Sequence, residues 1–206
     1  MKRLSIVVPA LLVAAFTAFG CAQMSSMLDM GWTTLIDGEK GLDNFNRIGD
    51  ANWRAEGGAI VADKGKGGHL VTKKSYKDFQ IRAEFWAEIN TNSGIFIRAS
   101  DPKNVGAKNS YEVNIYDLRP GPEYSTGGIV NFAKVPVPPI YKAAGRWNTF
   151  LITAKGSNVT VEFNGVQTVN MTHDQFKEGP FTLQFGNHGK EPGGAIKWRK
   201  VQVKEL

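Results

Sequence analysis

From Trp32 onward the chain alternates apolar and polar residues with a period of two. Successive strand side chains point to opposite faces, so this alternation predicts strands with one face buried. It predicts strands over Thr33–Ile36, Trp53–Ala62 around a Gly57-Gly58 turn, His69–Thr72, Phe79–Glu88, Ser93–Ala99, Tyr111–Asp117 and Ile129–Ala133. Trp147–Lys155, Asn158–Phe163, Val166–Asn170, Phe181–Phe185 and Ile196–Lys204 follow in the same pattern. No segment sustains a helical period, although Asp174–Lys177 has room for one turn. Asn164-Gly165, between two alternating runs, is a strong two-residue hairpin signal, and Gly156-Ser157 is a weaker one. So many short strands exceed what one open sheet holds, which predicts an all-β fold: a two-sheet antiparallel jelly-roll sandwich in a single domain.

The candidate chemistry is concentrated in Tyr111–Asp117, with sequence YEVNIYD. By parity Tyr111, Val113 and Ile115 face the core, leaving Glu112, Asn114 and Tyr116 together on the other side. The same parity sets Glu84 and Trp86 apart from Phe79, Ile81, Ala83 and Phe85, and sets Phe96 and Arg98 apart from Ile95 and Ile97. If these three strands adjoin in one sheet, a single surface displays Glu84, Trp86, Phe96, Arg98, Glu112, Asn114 and Tyr116. Sugars offer apolar C–H faces to aromatic rings and hydroxyls to directed polar groups, so this surface predicts a carbohydrate ligand. His188, in the stretch Gly186-Asn187-His188-Gly189, has the reach to join it. Arg119, Glu123 and Tyr124 lie in a Pro/Gly-rich loop that either rims the site or simply turns the chain. Trp32, Trp53, Trp147 and Trp198 read as packing residues. The three histidines are too scattered to form a metal cluster by spacing, so no cofactor is called and a divalent cation stays open. Glu112 and Asp117 fall on opposite faces by parity, which argues against a two-carboxylate polysaccharide hydrolase.

The ends change the picture of where such a domain works. Lys2 and Arg3 precede an uncharged run from Leu4 to Gly20 that ends at Cys21, the marks of an export signal over residues 1–20. Ala18-Phe19-Gly20-Cys21 is similar to a lipobox with Ala in place of the usual Leu, which makes Cys21, the only cysteine, a lipid attachment site. A type I peptidase cutting after Gly20 or after Ala22 is the alternative. Residues 21–31 then form a tether and 32–206 the domain. Ala22 rather than Asp after the cysteine directs such a lipoprotein to the outer membrane, so the expectation is an exported protein of a Gram-negative-type bacterium, in the periplasm or outer membrane. Lys2 and Arg3 leave with the signal, which lowers the formal charge of +6 by two. That mild balance, without a basic run or nucleic-acid module, predicts no nucleic-acid partner.

Several ordered motifs carry a family resemblance. Thr33-Thr34-Leu35-Ile36-Asp37-Gly38, Trp53 with Glu56-Gly57-Gly58, and Tyr76-Lys77-Asp78-Phe79 come first. Asn92-Ser93-Gly94-Ile95-Phe96-Ile97-Arg98, Tyr111-Glu112-Val113-Asn114-Ile115 and Thr126-Gly127-Gly128-Ile129 follow, then Gly145-Arg146-Trp147-Asn148, Asn164-Gly165 and Gly179-Pro180 with Leu183-Gln184. Their succession resembles the 3-keto-disaccharide hydrolase domain family, whose members have the concanavalin A-like lectin and glucanase sandwich. Asn114 stands for the family's Gln, and Gly186 stands where the family has a His, with His188 two residues on. The resemblance implies hydrolysis of glycosides whose sugar carries a ketone at C3, directly or by elimination and hydration. It implies Glu112 as acid/base, Arg98 or a bound cation at the enolate oxygen, and Glu84 as orienting group or second proton carrier. Asn114, Tyr116, Trp86, Phe96 and His188 would bind the substrate. A non-catalytic carbohydrate-binding module using the same face is the alternative.

Overall fold

The computed structural model describes residues 30–188 and 193–206; the expected export segment, Cys21 and all but the end of the expected tether lie outside the described residues. From Thr33 to Leu206 the chain is one compact unit. Its strands are β1 (Thr33–Asp37), β2 (Phe45–Gly49), β3 (Arg54–Glu56), β4 (Ala59–Ala62), β5 (Gly68–Thr72), β6 (Phe79–Ala87) and β7 (Ser93–Ile97). They continue as β8 (Tyr111–Ile115), β9 (Trp147–Lys155), β10 (Asn158–Phe163), β11 (Val166–Thr172), β12 (Thr182–Phe185) and β13 (Ile196–Glu205). All strand pairings are antiparallel. The large sheet runs β11-β10-β9-β6-β13-β4-β3, with β1 also on β13, and the small sheet runs β2-β5-β12-β7-β8. The expected all-β two-sheet sandwich is therefore the fold.

The alternation works as the sequence predicts on β6, where Phe79, Ile81, Ala83, Phe85 and Ala87 are buried and the residues between them half-buried. Phe85 stacks on Phe150 of β9 at 5.1 Å between ring centroids and lies 5.6 Å from Trp198 of β13. The small sheet meets this core with Leu70, Leu183, Ile95, Ile97, Tyr111, Val113 and Ile115. At the predicted hairpin between β10 and β11, Asn164 and Gly165 have φ of 51° and 79°, the left-handed pair a tight two-residue turn requires.

The structure departs from the sequence pattern at several elements. β2 was not foreseen, because its sequence FNRIG carries only Phe45 and Ile48 amid turn-forming residues; pairing with β5 makes it a strand. Ile129–Ala133 is no strand but a turn, with Ile129 bridged to Val113 and Ala133 and Asn131 at φ 68°. Asp174–Lys177 forms no helical turn; among the described residues the helical pieces are short 3₁₀ turns at Leu42–Asn44 and Pro122–Tyr124. Trp53 and Trp198 are buried as expected, but Trp147 is 37% exposed. It pairs with Trp86 on the outer face of the large sheet, where the Arg199 guanidinium lies 4.4 Å from its ring centroid.

The correction that matters most for function concerns β6. It lies in the large sheet, whereas β7 and β8 lie in the small one. Both sheets turn their apolar residues toward the shared core, so the polar face of β6 points away from that of β8. Glu84 and Trp86 therefore do not share a surface with Glu112. Glu84 accepts from Arg199 Nε at 2.5 Å, and Trp86 carries Lys197 Nζ 4.7 Å from its ring centroid.

Candidate functional site

The outward face of the small sheet can be built from its registers. Ile48 of β2 pairs with His69 of β5, and His69 with Gln184 of β12. Thr182 of β12 pairs with Phe96 of β7, and β7 sets Phe96 against Glu112 and Gly94 against Asn114 on β8. The period-two rule then puts His69, Thr182, Gln184, Gly94, Phe96, Glu112 and Asn114 on one face. Gly94 is the floor. A Cβ built there would meet Val113 O at 2.9 Å, Glu112 Cγ at 3.4 Å and an edge carbon of Phe96 at 3.6 Å, so both side chains lean over the glycine. The His69 ring stands edge-on to Phe96 at 5.0 Å, and its Nδ1 is 2.9 Å from Thr182 Oγ1. Four strands thus contribute side chains to this face, and those of Phe96 and Glu112 reach over the one residue that has none.

The face is sheltered, with every residue of β7 and β8 buried on both sides. Glu112 is 7% exposed, and among the described residues nothing hydrogen-bonds to its carboxylate. Burial pushes its pKa up from the ordinary 4.5 to about 7, against the opposing pull of the Arg119 cation. Arg119 Nε, Asn114 Oδ1 and Gln184 Oε1 are buried and have no partner among the described residues. Asn114 is oriented by donating from Nδ2 to Tyr124 O at 2.5 Å. Buried polar groups in native proteins are nearly always paired, so these unused donors and acceptors make this face the candidate place for a polar ligand. A cleft of about 440 Å³, lined by Ile48, His69, Gln184, Asn92, Lys103 and Asn187 among others, opens over the β5 and β12 side of this face. Glu112 stands outside the cleft lining, across Gly94. No group of three or more His, Cys, Asp or Glu residues able to hold a metal ion occurs among the described residues.

Of the residues singled out from the sequence, Glu112, Phe96 and Asn114 come together here. Tyr116 follows on from β8, and its hydroxyl hydrogen-bonds to His188 Nδ1 while His188 Nε2 hydrogen-bonds to Asn90 O, a strap beside the site. Arg98 does not belong to the site. β7 ends at Ile97, and Arg98 has φ 55°, which breaks the alternation that parity assumed. Its side chain is 1% exposed and donates to Lys77 O at 2.6 and 3.0 Å, to Gly156 O at 2.8 Å, to Phe176 O at 3.3 Å and to Asp78 at 3.3 Å. Arg98 ties loops together. Asp117, two residues beyond the end of β8, is engaged elsewhere: it accepts from Thr126 Oγ1 at 2.6 Å and from the amides of Ala143 and Ala144 at 3.0 Å. At Gly186, where the family has a His, a Cβ would lie 3.1 Å from the Asn92 side chain, so Asn92 occupies that space.

Sequence reasoning missed His69, Thr182, Gln184 and the role of Gly94. Thr182 and Gln184 alternate with the core residue Leu183, a signal that was available, but nothing local says which strand lies beside β12. A Gly94→Ala substitution is expected to press a methyl against a backbone carbonyl that cannot move aside. It should cost about 1–3 kcal/mol, read as a lower midpoint of thermal unfolding, and weaken sugar binding.

An antiparallel two-sheet sandwich whose smaller sheet presents a sheltered polar face defines a lectin-like sandwich with a candidate ligand site on that sheet. The chain belongs to the 3-keto-alpha-glucoside-1,2-lyase-like domain family, whose model matches residues 31–204. Among solved structures it is similar to two candidate glycosyl hydrolases from Parabacteroides distasonis. One has 27% identity and a TM-score of 0.65, covering 85% of this chain and 84% of that one. The other has 19% identity and a TM-score of 0.72, covering 88% and 96%. A carbohydrate-binding module from Bacillus subtilis shares the fold at 15% identity with a TM-score of 0.56, covering 85% and 96%. No curated protein matches the sequence.

Proposed function

We propose that the face around Gly94 binds a sugar ring and that Glu112 moves a proton there, in the hydrolysis of glycosides whose sugar is oxidised to a ketone at C3. The observation that carries this is Glu112 itself: a carboxylate on a residue that is largely buried, near neutral pKa, leaning over the glycine floor. Such a group is present as a base in about half the molecules at pH 7 and as an acid in the rest. A C3 ketone acidifies the hydrogen on C2. Glu112 takes that proton, the electron pair moves onto the ketone oxygen, and the enolate then expels the C1 substituent, which recovers the proton from Glu112. Water adds across the resulting double bond to complete net hydrolysis. Arg119, with Nε buried and unpartnered near Glu112, takes the charge-stabilising role that the sequence suggested for Arg98. Asn114 Oδ1 and Gln184 Oε1 accept from sugar hydroxyls. Membership of the family supports the choice of substrate. An exported, lipid-anchored setting rests on the charged, apolar and small-residue succession ending at Cys21 and is part of the proposal.

A second reading, a carbohydrate-binding module without catalysis, is favoured by one observation: the open cleft lies over His69 and Gln184, and Glu112 does not line it. Sugar release from a 3-keto-glucoside and from its unoxidised parent separates the two. The proposal expects turnover of the keto compound only. Saturable binding of both without release of either leaves the module.

A further inference from the structure

We propose that His69 is a second catalytic residue, a neutral imidazole whose Nε2–H donates a hydrogen bond to the C3 oxygen of the sugar as charge develops there. The inference rests on the proposed reaction and assigns the recognition of its oxidised carbon. Its first support is position. His69 lines the cleft that Glu112 does not, and its ring leans toward Phe96, the residue paired with Glu112, so the two groups flank the Gly94 floor from opposite sides. A sugar whose C2–C3 bond lies between them presents its C2–H to one group and its C3 oxygen to the other.

The second support is the tautomer that the hydrogen bonding favours. Thr182 is fully buried, and its Oγ1 has His69 Nδ1 as its partner among the described residues. If Nδ1 carried the hydrogen, the buried hydroxyl would accept it and leave its own hydrogen without an acceptor. If Oγ1–H donates to Nδ1, the donor is satisfied, and an under-used oxygen lone pair costs less than an orphaned hydrogen. The hydroxyl therefore donates, Nδ1 accepts, and the imidazole hydrogen sits on Nε2, which has no partner among the described residues. Burial keeps the ring in this neutral form, with its pKa pulled from 6.5 to about 4. A neutral imidazole gives up no proton in the step. Glu112 receives the C2 proton, the C2–H electron pair forms the C2–C3 double bond, the ketone π pair moves to oxygen, and that oxygen accepts from Nε2–H. A fixed donor aimed at the position of developing charge acts without reorganisation during the step.

The test combines kinetics on a 3-keto-glucoside with ¹⁵N NMR of the histidine rings, for the wild type and for His69→Ala, His69→Gln and Thr182→Val. The expected results are an Nε2–H tautomer in the wild type and a mixture of tautomers in Thr182→Val. His69→Ala should lower kcat by about 10²–10³-fold with a smaller change in KM, and His69→Gln, which keeps an N–H at similar reach, should recover part of it. An Nδ1–H tautomer in the wild type would overturn the proposal. So would His69→Ala turnover within threefold of the wild type while Glu112→Gln is inactive, an outcome that leaves the proposed reaction standing. If the wild type turns over nothing, the reaction fails, and adding the keto sugar decides His69 separately: a shifted Nε2 resonance supports the contact, and an unmoved one overturns it.

Discussion

Glu112→Gln is expected to reduce turnover of a 3-keto-glucoside by about 10²–10⁴-fold, the range over which a positioned acid/base acts, and to make the folded protein more stable above pH 7. The two effects share a cause. Glu112 has a folded pKa of about 7, above the ordinary 4.5, because burial strips water from its carboxylate. Between those values the folded chain keeps a proton that the unfolded chain has released, so the cost of ionising the buried group grows as pH rises through the window and is complete above about 7. The elevation corresponds to about 3 kcal/mol. Wild type and variant should therefore unfold at the same temperature near pH 4, where both are uncharged at this position, and the variant several degrees higher at pH 8. Activity of the wild type should rise with pH through about 7 as the carboxylate forms. Scanning calorimetry at the two pH values and a pH–rate profile check both limbs. Equal melting at pH 8 would mean that the carboxylate is better solvated than its surroundings imply.

Arg98→Ala should do the opposite, damaging the fold far more than the chemistry. The guanidinium is enclosed and holds the carbonyls of Lys77, Gly156 and Phe176 together with the Asp78 carboxylate. Removing it leaves those acceptors facing a void, at a cost of about 3–5 kcal/mol. Denaturant unfolding should show a much lower midpoint, while turnover per folded molecule at low temperature stays near that of the wild type. A variant that folds normally but is inactive would return Arg98 to the reacting sugar.

The contrast between Glu112 and Arg98 shows what the sequence could reveal. Strict alternation from Tyr111 to Ile115 identified the core side of β8, and with it the opposite side that carries Glu112 and Asn114. The same rule failed at Arg98, one residue beyond β7, because a left-handed φ rotates the side chain out of the alternation, and no local pattern announces that turn. Register was the other unread quantity. His69 looked isolated among scattered histidines, yet β5 pairs with β12 and β12 with β7, which brings it to Phe96 across more than a hundred residues of intervening chain for the β5–β12 step. Glu84 and Trp86 failed for the same reason in reverse: a polar face was correctly inferred on β6, but the strand belongs to the other sheet. Gly94 was seen as part of a motif, and only the neighbours of its missing side chain show it to be the floor.

Sugar is expected to bind on the small sheet around Gly94. Backbone amide shifts followed by NMR during titration with a 3-keto-glucoside test it most directly. Perturbations centred on Gly94, Glu112, His69 and Gln184 are the predicted result. Perturbations centred instead on Trp86, Trp147 and Lys197, on the outer face of the large sheet, would contradict it.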